Sequence, residues 1–230
     1  MISQKPKAQA SSKSVRDPFT AVPGFSALYE TRNKKLGAFA IRLISGDICL
    51  FSPLPDLTEQ IKASLQRLGG VSILFAPNHY HNKGLCLYSE AFPSAKLVAA
   101  AAAIPRLKKV TGLSFAPVNE LVGKLPDNIT LLEPEGLKTG ENWLRIREKE
   151  KTAWIVVDAF RGAETPQSEP TAPQLLKNFP KYGLADRGRY VKWGEQQVRL
   201  DRPTTLLSCH GQAIHDAMLP EKLLDLILSL

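Results

Sequence analysis

Two of the four histidines in this chain, His79 and His81, follow a short apolar run at residues 71–75 and are separated by a single residue. Alternate residues share a face of an extended or tightly turned backbone, so both imidazoles are expected on the same side. This spacing at the end of a strand is typical of a metal-binding site. The other two histidines, His210 and His215, lie in one late segment of the chain.

Three of the predicted strands end in potential metal ligands. These are His79 and His81 after residues 71–75, Asp158 after residues 153–157, and His210 after residues 204–208. Uncharged imidazoles and a carboxylate suit zinc or iron, and two histidines with one carboxylate leave positions open for water and substrate. A metal held in this way lowers the pKa of bound water and polarises a carbonyl or phosphoryl oxygen. The pattern therefore predicts a metal site that can activate water and polarise such a bond.

The elements that must position these residues are read from hydrophobic periodicity and turn residues. The predicted strands are residues 38–44, 48–51, 71–75, 96–99, 129–132, 142–148, 153–157 and 204–208. The predicted helices are residues 56–68, 84–91, 101–109 and an amphipathic segment at 214–230 that is interrupted or restarted at Pro220. A polar, proline-rich stretch at residues 164–173 is expected to be a loop or lid. This order indicates a layered α/β fold with functional loops at the carboxyl ends of strands.

Composition narrows the class of protein. With 230 residues, of which 43% are hydrophobic and 23% charged, the sequence is that of an ordinary globular protein with a sizeable core. We find no apolar run of the roughly 18 residues that a membrane span needs and no signal-peptide core, so we expect a cytoplasmic protein without a membrane partner. Three cysteines without a CxxC pair argue against a disulfide framework and a thiolate zinc site.

The formal charge of +8 is concentrated at one end of the chain. Four basic residues precede the first acidic residue, Asp17, so residues 1–17 are predicted to form a disordered basic tail before a single domain at 18–230. The remaining chain is only mildly basic. A mild excess without a basic stripe is weak evidence for a nucleic-acid partner, which we regard as the third-ranked alternative.

The order of these motifs resembles the metallo-β-lactamase superfamily: a strand and a His-x-His loop, a later strand ending in Asp, and a final strand ending in His-Gly. More narrowly, Ser52-Pro53, the loop at residues 77–81 and the segment at residues 92–97 look like the DUF4336-like branch of that superfamily. The resemblance spans about residues 37–230. It implies a four-layer αββα sandwich with a metal site, usually dinuclear, at one edge of its two sheets. It also implies hydrolysis of an ester, amide, thioester or phosphoester, here in an unidentified small-molecule substrate.

The resemblance carries over the metal ligands only in part. His79 and His81 match the first pair of the His-x-His-x-Asp-His motif, but Lys83 stands at the Asp position and Gly84 at the next His position. Asp158 matches the bridging carboxylate and His210 the final histidine. The family's intermediate histidine is also missing. In its region we expect Glu133 or Glu135 to replace it.

These departures predict at most a mononuclear site, because an ammonium at Lys83 would repel a second cation. The expected ligands of one zinc or iron ion are His79, His81, Asp158 and His210, and the expected oxyanion stabiliser is His210 or Lys83. The alternative, from another class, is a non-catalytic binding or scaffold protein that has lost its metal, in which Lys83 neutralises Asp158. We expect His215 to be a surface or helix residue.

Overall fold

The computed structural model describes residues 17–162 and 172–230, and most of its strands belong to two sheets. The first sheet consists, in spatial order, of β1 (Thr20–Ala21), β2 (Leu28–Asn33), β3 (Leu36–Arg42), β4 (Ile48–Phe51), β5 (Val71–Ala76), β6 (Lys96–Ala99) and β7 (Ala116–Pro117). The second consists of β14 (Ile214–His215), β13 (Thr205–Ser208), β10 (Lys151–Val156), β9 (Trp143–Glu148) and β8 (Ile129–Leu132). A two-stranded sheet pairs β11 (Phe160–Arg161) with β12 (Gln174–Leu175).

Helices follow the strands along the chain. They are α1 (Glu59–Arg67), α2 (Leu85–Ala91), α3 (Ile104–Thr111), α4 (Asn119–Val122), α5 (Phe179–Tyr182), α6 (Arg187–Asp201) and α7 (Leu219–Leu228). The first begins where the Thr58 side chain accepts a hydrogen bond from the backbone of Ile61, and it ends before the left-handed Gly69 and Gly70. Within the described ranges, every helix is too short or too polar to span a bilayer.

Alternation along the first sheet separates two cores. One face of β3 and β4 points to the second sheet through Phe39, Ile41, Cys49 and Phe51. The opposite face packs on α1 and α2 through Ala38, Ala40, Ile48 and Leu50. Helices α6 and α7 cover the second sheet through Tyr190, Val198, Leu223 and Ile227. The layers are therefore helix, sheet, sheet and helix, and the predicted αββα sandwich is confirmed.

Parallel pairing brings the polar strand ends to one edge. In the first sheet, β4 through β7 are parallel to one another, so the loop that follows β5 emerges at their carboxyl ends. In the second sheet, β10 and β13 are parallel, with Val156 opposite Ser208. Backbone hydrogen bonds from Gly37 to the carbonyl of Cys209 and from Gly211 to the carbonyl of Lys35 connect the two sheets at this edge.

The predicted C-terminal helix was wrong in its first third. Residues 214–215 form β14, which pairs antiparallel with β13, and α7 begins only at Leu219. Pro220 lies in the first turn of that helix, where the missing N–H costs nothing, so it marks a helix start rather than an interruption. Hydrophobic periodicity alone did not reveal that Ile214 and His215 pair with β13 and extend the second sheet.

Helix α3 also begins later than predicted, because residues 100–103 form a turn. The backbone of this turn approaches Gly140 closely, and a Cβ added at Gly140 would lie 2.6 Å from the backbone nitrogen of Ala103. Strands β1 and β2 were not predicted at all.

The predicted tail lies outside the described residues except for Asp17, which pairs with Arg67. The predicted lid at 164–173 lies outside them except for its last two residues.

Candidate metal site

Three of the predicted site residues, His81, Asp158 and His210, converge at the shared edge of the two sheets. Asp158 Oδ1 lies 3.1 Å from His81 Nε2 and 2.9 Å from His210 Nε2. One potential ligand atom from each side chain lies within 4.8 Å of the other two. Two imidazoles and one carboxylate at this separation form a donor set that fits a single zinc or iron ion.

The sheet register explains why these residues meet. Asp158 and His210 each lie two residues beyond the ends of β10 and β13, which are adjacent and parallel with their last residues paired. The two side chains therefore leave the second sheet at the same height. His81 comes from the other sheet, five residues after the end of β5. The site is thus shared between the two halves of the sandwich.

Asn78 shapes the loop that carries His81, and sequence reasoning did not identify it. This fully buried side chain accepts hydrogen bonds at Oδ1 from the backbone N–H groups of Tyr80, at 2.8 Å, and of His81, at 3.1 Å. Its amide Nδ2 donates to Asp158 Oδ2 at 2.7 Å. Asn78 therefore turns the backbone after β5 and holds Asp158 with the same side chain. An Asn next to a Pro after a strand is a common turn signal, and it was available in the sequence.

Hydrogen bonds keep Asp158 ionised. Burial alone would raise the pKa of this carboxyl, but the hydrogen bonds and positive potential of His210 and His81 outweigh it and hold the pKa well below its usual range. The carboxylate is therefore available as a ligand or as a charge partner at every physiological pH.

Ser52 orients His81 from the opposite side of the ring. Its Oγ lies 2.7 Å from His81 Nδ1, and its backbone adopts the left-handed region with φ of 57°. The hydroxyl can either accept a hydrogen bond from Nδ1–H or donate one to an unprotonated Nδ1. When it accepts, the Nε2 lone pair of His81 is free to bind a metal, which is the arrangement that outer-shell partners of ligating histidines usually impose. Ser52 was named in the sequence only as part of a family motif.

Glu141 is a second buried carboxylate behind the site and was not predicted. Its Oε1 accepts hydrogen bonds from Trp143 Nε1 at 2.7 Å and from the backbone of Ala159 at 3.3 Å. Burial and the nearby charge of Asp158 raise the pKa of Glu141 to about 7. Nothing in the local sequence separates this glutamate from the solvent-exposed ones around it. Its segment is held by backbone hydrogen bonds to the distant loop after β5, from His79 to the carbonyl of Thr139 and from Asn142 to the carbonyl of Pro77.

His79 lies beside this group and not within it. Its ring contacts the Tyr80 ring edge-on, with centroids 4.3 Å apart, and its Nε2 is buried without a hydrogen-bond partner among the described residues. Burial and the positive charge of Arg106 lower the pKa of His79, although Asp158 acts in the opposite direction. Its predicted role as a metal ligand stays a prediction.

Lys83 and Gly84 occupy different surroundings. Lys83 is exposed and lies at the rim of a cavity of about 300 Å³ that contains His81, Asp158 and His210. Gly84 is buried, and a Cβ at this position would lie 2.1 Å from the carbonyl oxygen of Leu54. No side chain fits at residue 84 unless the backbone moves.

The remaining candidates lie away from the group. Glu135 pairs with Arg189 at 3.2 Å, and Glu133 is exposed. His215 is exposed on β14, as expected for a surface residue, and its Nδ1 lies 3.1 Å from Thr205 Oγ1. Cys209, next to His210, is fully buried, and burial raises the pKa of its thiol.

A second cavity, of about 410 Å³, adjoins the first. Asp158 and Tyr80 line both, so the two cavities meet at the carboxylate of the site. The larger cavity is mostly apolar and includes Leu176, Phe179 and Tyr182. A ligand in it would therefore reach Asp158.

The fold is shared with solved structures, although no family model and no curated protein matches the sequence. A metallo-beta-lactamase from Pontibacter korlensis aligns over 92% of this chain and 99% of its own, with a TM-score of 0.60 and 10% identity. One from Hirschia baltica aligns over 91% of this chain and 98% of its own, with a TM-score of 0.61 and 12% identity. At such identities the likeness is one of fold. The chain therefore has the metallo-β-lactamase fold.

Proposed function

We propose that the protein is a metal-dependent hydrolase that uses one zinc or iron ion held by His81, Asp158 and His210. The observation that carries this proposal is the convergence of these three side chains, from two sheets, to within 4.8 Å of one another. Side chains so distant in the chain form a compact donor set only where the fold holds them together. Such sites are typical of metal-dependent enzymes.

The chemistry that a metal supplies in such a site is activation of water and polarisation of the bond to be broken. The protein's own residues do the rest. Ser52 and Asn78 fix the orientation of His81 and Asp158 through hydrogen bonds of 2.7 Å each. The adjoining cavities admit a substrate to the carboxylate side of the site. Lys83, exposed at the rim, offers a positive charge to an anionic substrate or to a developing oxyanion.

Kinship with the DUF4336-like branch is part of the proposal, and so is a site for one metal ion rather than two. The lack of space at Gly84 supports a single metal ion, because a histidine ligand there would overlap Leu54. The ammonium of Lys83, at the position of a family carboxylate, supports it as well. A second cation would lack two of its ligands and would be repelled by this charge.

Metal content and metal-dependent stability test the proposal. Protein purified without chelator should contain close to one equivalent of a transition metal, and zinc added after chelation should raise the melting temperature. His81→Gln should lose both effects. His215→Gln is the matched control, since His215 lies outside the group and should leave both intact. Less than about a tenth of an equivalent of metal, together with no thermal shift, would remove the basis of the proposal.

A non-catalytic binding protein is the second candidate, and one observation favours it. His81 and His210 already satisfy Asp158 Oδ1, and Asn78 satisfies Oδ2, without any cation. The site is therefore self-consistent as a hydrogen-bonded network. The two candidates differ in the metal titration: a network of this kind predicts no thermal shift with zinc.

A further inference from the structure

The larger cavity next to the metal site has the composition of a small-molecule binding site. Its volume of about 410 Å³ is in the range for bound metabolites, and its walls include Leu176, Phe179 and the rings of Tyr80 and Tyr182. Asp158 of the proposed metal site also lines it. A bulky apolar group can therefore pack in this cavity while another part of the same molecule lies next to Asp158.

Thr139 provides a fixed polar group inside this cavity. The residue is only 1% exposed, yet its Oγ1 has no hydrogen-bond partner among the described residues. Its backbone is held in place, because its carbonyl accepts a hydrogen bond from the backbone of His79 at 3.2 Å. A buried hydroxyl without a partner costs about 1 to 3 kcal/mol. A polar atom of a ligand would remove this cost.

Arg106 brings a positive charge to the wall of the cavity. This residue of α3 lies over the ring of Tyr80 at 5.0 Å and has no carboxylate partner among the described residues. An anionic group in the cavity would therefore meet a guanidinium that no carboxylate of the described residues already neutralises.

We propose that this cavity selects substrates that combine a bulky apolar group with a carboxylate. The apolar group packs against Phe179 and Tyr182, the carboxylate pairs with Arg106, and a polar atom of the substrate bonds Thr139 Oγ1. This inference rests on the proposed function only in taking the ligand to be a substrate. Of the proposed metal ligands, only Asp158 lines the cavity.

Binding of a matched pair of probes tests this recognition without requiring turnover. The probes are 3-phenylpropionate and its neutral amide, with affinity for the whole chain measured by calorimetry in the presence of chelator. The acid should bind more tightly than the amide by roughly two- to fivefold, as expected for one partly exposed ion pair. Arg106→Gln should abolish this preference while leaving the amide's affinity unchanged.

Lys108→Gln is the matched control, because Lys108 is exposed on the same helix two residues away and therefore on another face. It should keep the preference, and both variants should melt as the wild type does. Equal binding of acid and amide, a preference that survives Arg106→Gln, or no binding of either probe would overturn the proposal.

Repeating the measurement with zinc separates this proposal from the metal proposal. Tighter binding of the acid than of the amide in the presence of chelator supports the proposed recognition by the cavity, even if zinc does not change the melting temperature of the protein. A preference that appears only with zinc, and persists in Arg106→Gln, would mean that the carboxylate binds the metal, and it would overturn the assignment to Arg106.

Discussion

The two cavities that meet at Asp158 differ in how their polar atoms are satisfied. In the smaller one, Ser52, His81, Asp158 and His210 hydrogen-bond to one another. In the larger one, apolar walls surround Thr139, whose Oγ1 has no partner among the described residues. Interlocked polar groups fix a reactive geometry, whereas an apolar space with a single unsatisfied hydroxyl favours the uptake of a ligand. The difference supports the proposals that the smaller cavity holds a metal ion and that the larger one binds part of a ligand.

Asp158→Asn should produce the largest effect, because Asp158 belongs to both cavities. An amide accepts one fewer strong hydrogen bond and carries no charge, so metal affinity should fall by more than about a hundredfold. The metal-free protein should lose roughly 2 to 4 kcal/mol of stability. Chelator competition and urea unfolding measure the two quantities. Asp127→Asn, an exposed carboxylate, is the control. Unchanged metal affinity would show that the smaller cavity does not serve metal chemistry.

Glu141→Gln should change how stability depends on pH. The folded pKa of Glu141 is raised by burial from 4.5 to about 7. The folded state therefore binds more protons in this interval, and the stability that the protonated group provides is present below pH 4.5 and lost as the pH rises through 7. This group alone should lower the free energy of unfolding by roughly 3 kcal/mol across the interval. Urea unfolding of the chelated protein should give a flatter profile for the variant; identical profiles would contradict the prediction.

Ser52→Ala should weaken the metal site by about tenfold, the usual cost of losing an outer-shell partner of a ligating histidine. The alanine leaves His81 Nδ1 without its hydroxyl at 2.7 Å, so the ring loses its fixed orientation. Ser89→Ala, which removes an exposed hydroxyl away from the site, should retain wild-type zinc affinity in the same chelator competition. If both variants bind zinc equally well, Ser52 does not orient His81.

Thr139→Val should give the smallest effect and the opposite sign. Valine keeps the shape of threonine and removes a buried hydroxyl that has no partner, so the free protein should gain about 1 kcal/mol. Thr205→Val is the contrasting control, because Thr205 Oγ1 lies 3.1 Å from His215 Nδ1 and its loss should destabilise the protein by about the same amount. Urea unfolding measures both variants. If their midpoints shift in the same direction, Thr139 Oγ1 is not an unsatisfied group.

Local sequence signals were sufficient for many of the central elements, although not for β1, β2 or α6. The hairpin of β3 and β4, the strands β5, β6, β8, β9, β10 and β13, and the helices α1 and α2 lie close to where periodicity and turn residues place them. Such elements depend on interactions between residues that are near one another in the chain. The end of the chain did not follow this rule, because β14 exists only through its pairing with β13.

The candidate site was partly predictable for the same reason. Asp158 and His210 were correctly placed at strand ends, and parallel pairing of β10 with β13 brings them together. His79 and His81 were treated alike, but the turn made by Asn78 brings only His81 into the group. Glu141, Thr139 and Arg106 carry no local signal, because each acquires its surroundings from a distant part of the chain.

The sequence by itself determined which residue types lie at strand ends, and with them the layered fold and the expectation of a histidine-carboxylate site. Only the tertiary structure decided that His81 rather than His79 faces Asp158, that residue 84 has no room for a ligand, and that an apolar cavity adjoins the site. The physical reason is that hydrophobic patterning acts over a few residues, whereas burial, hydrogen-bond partners and cavities depend on how separate segments pack.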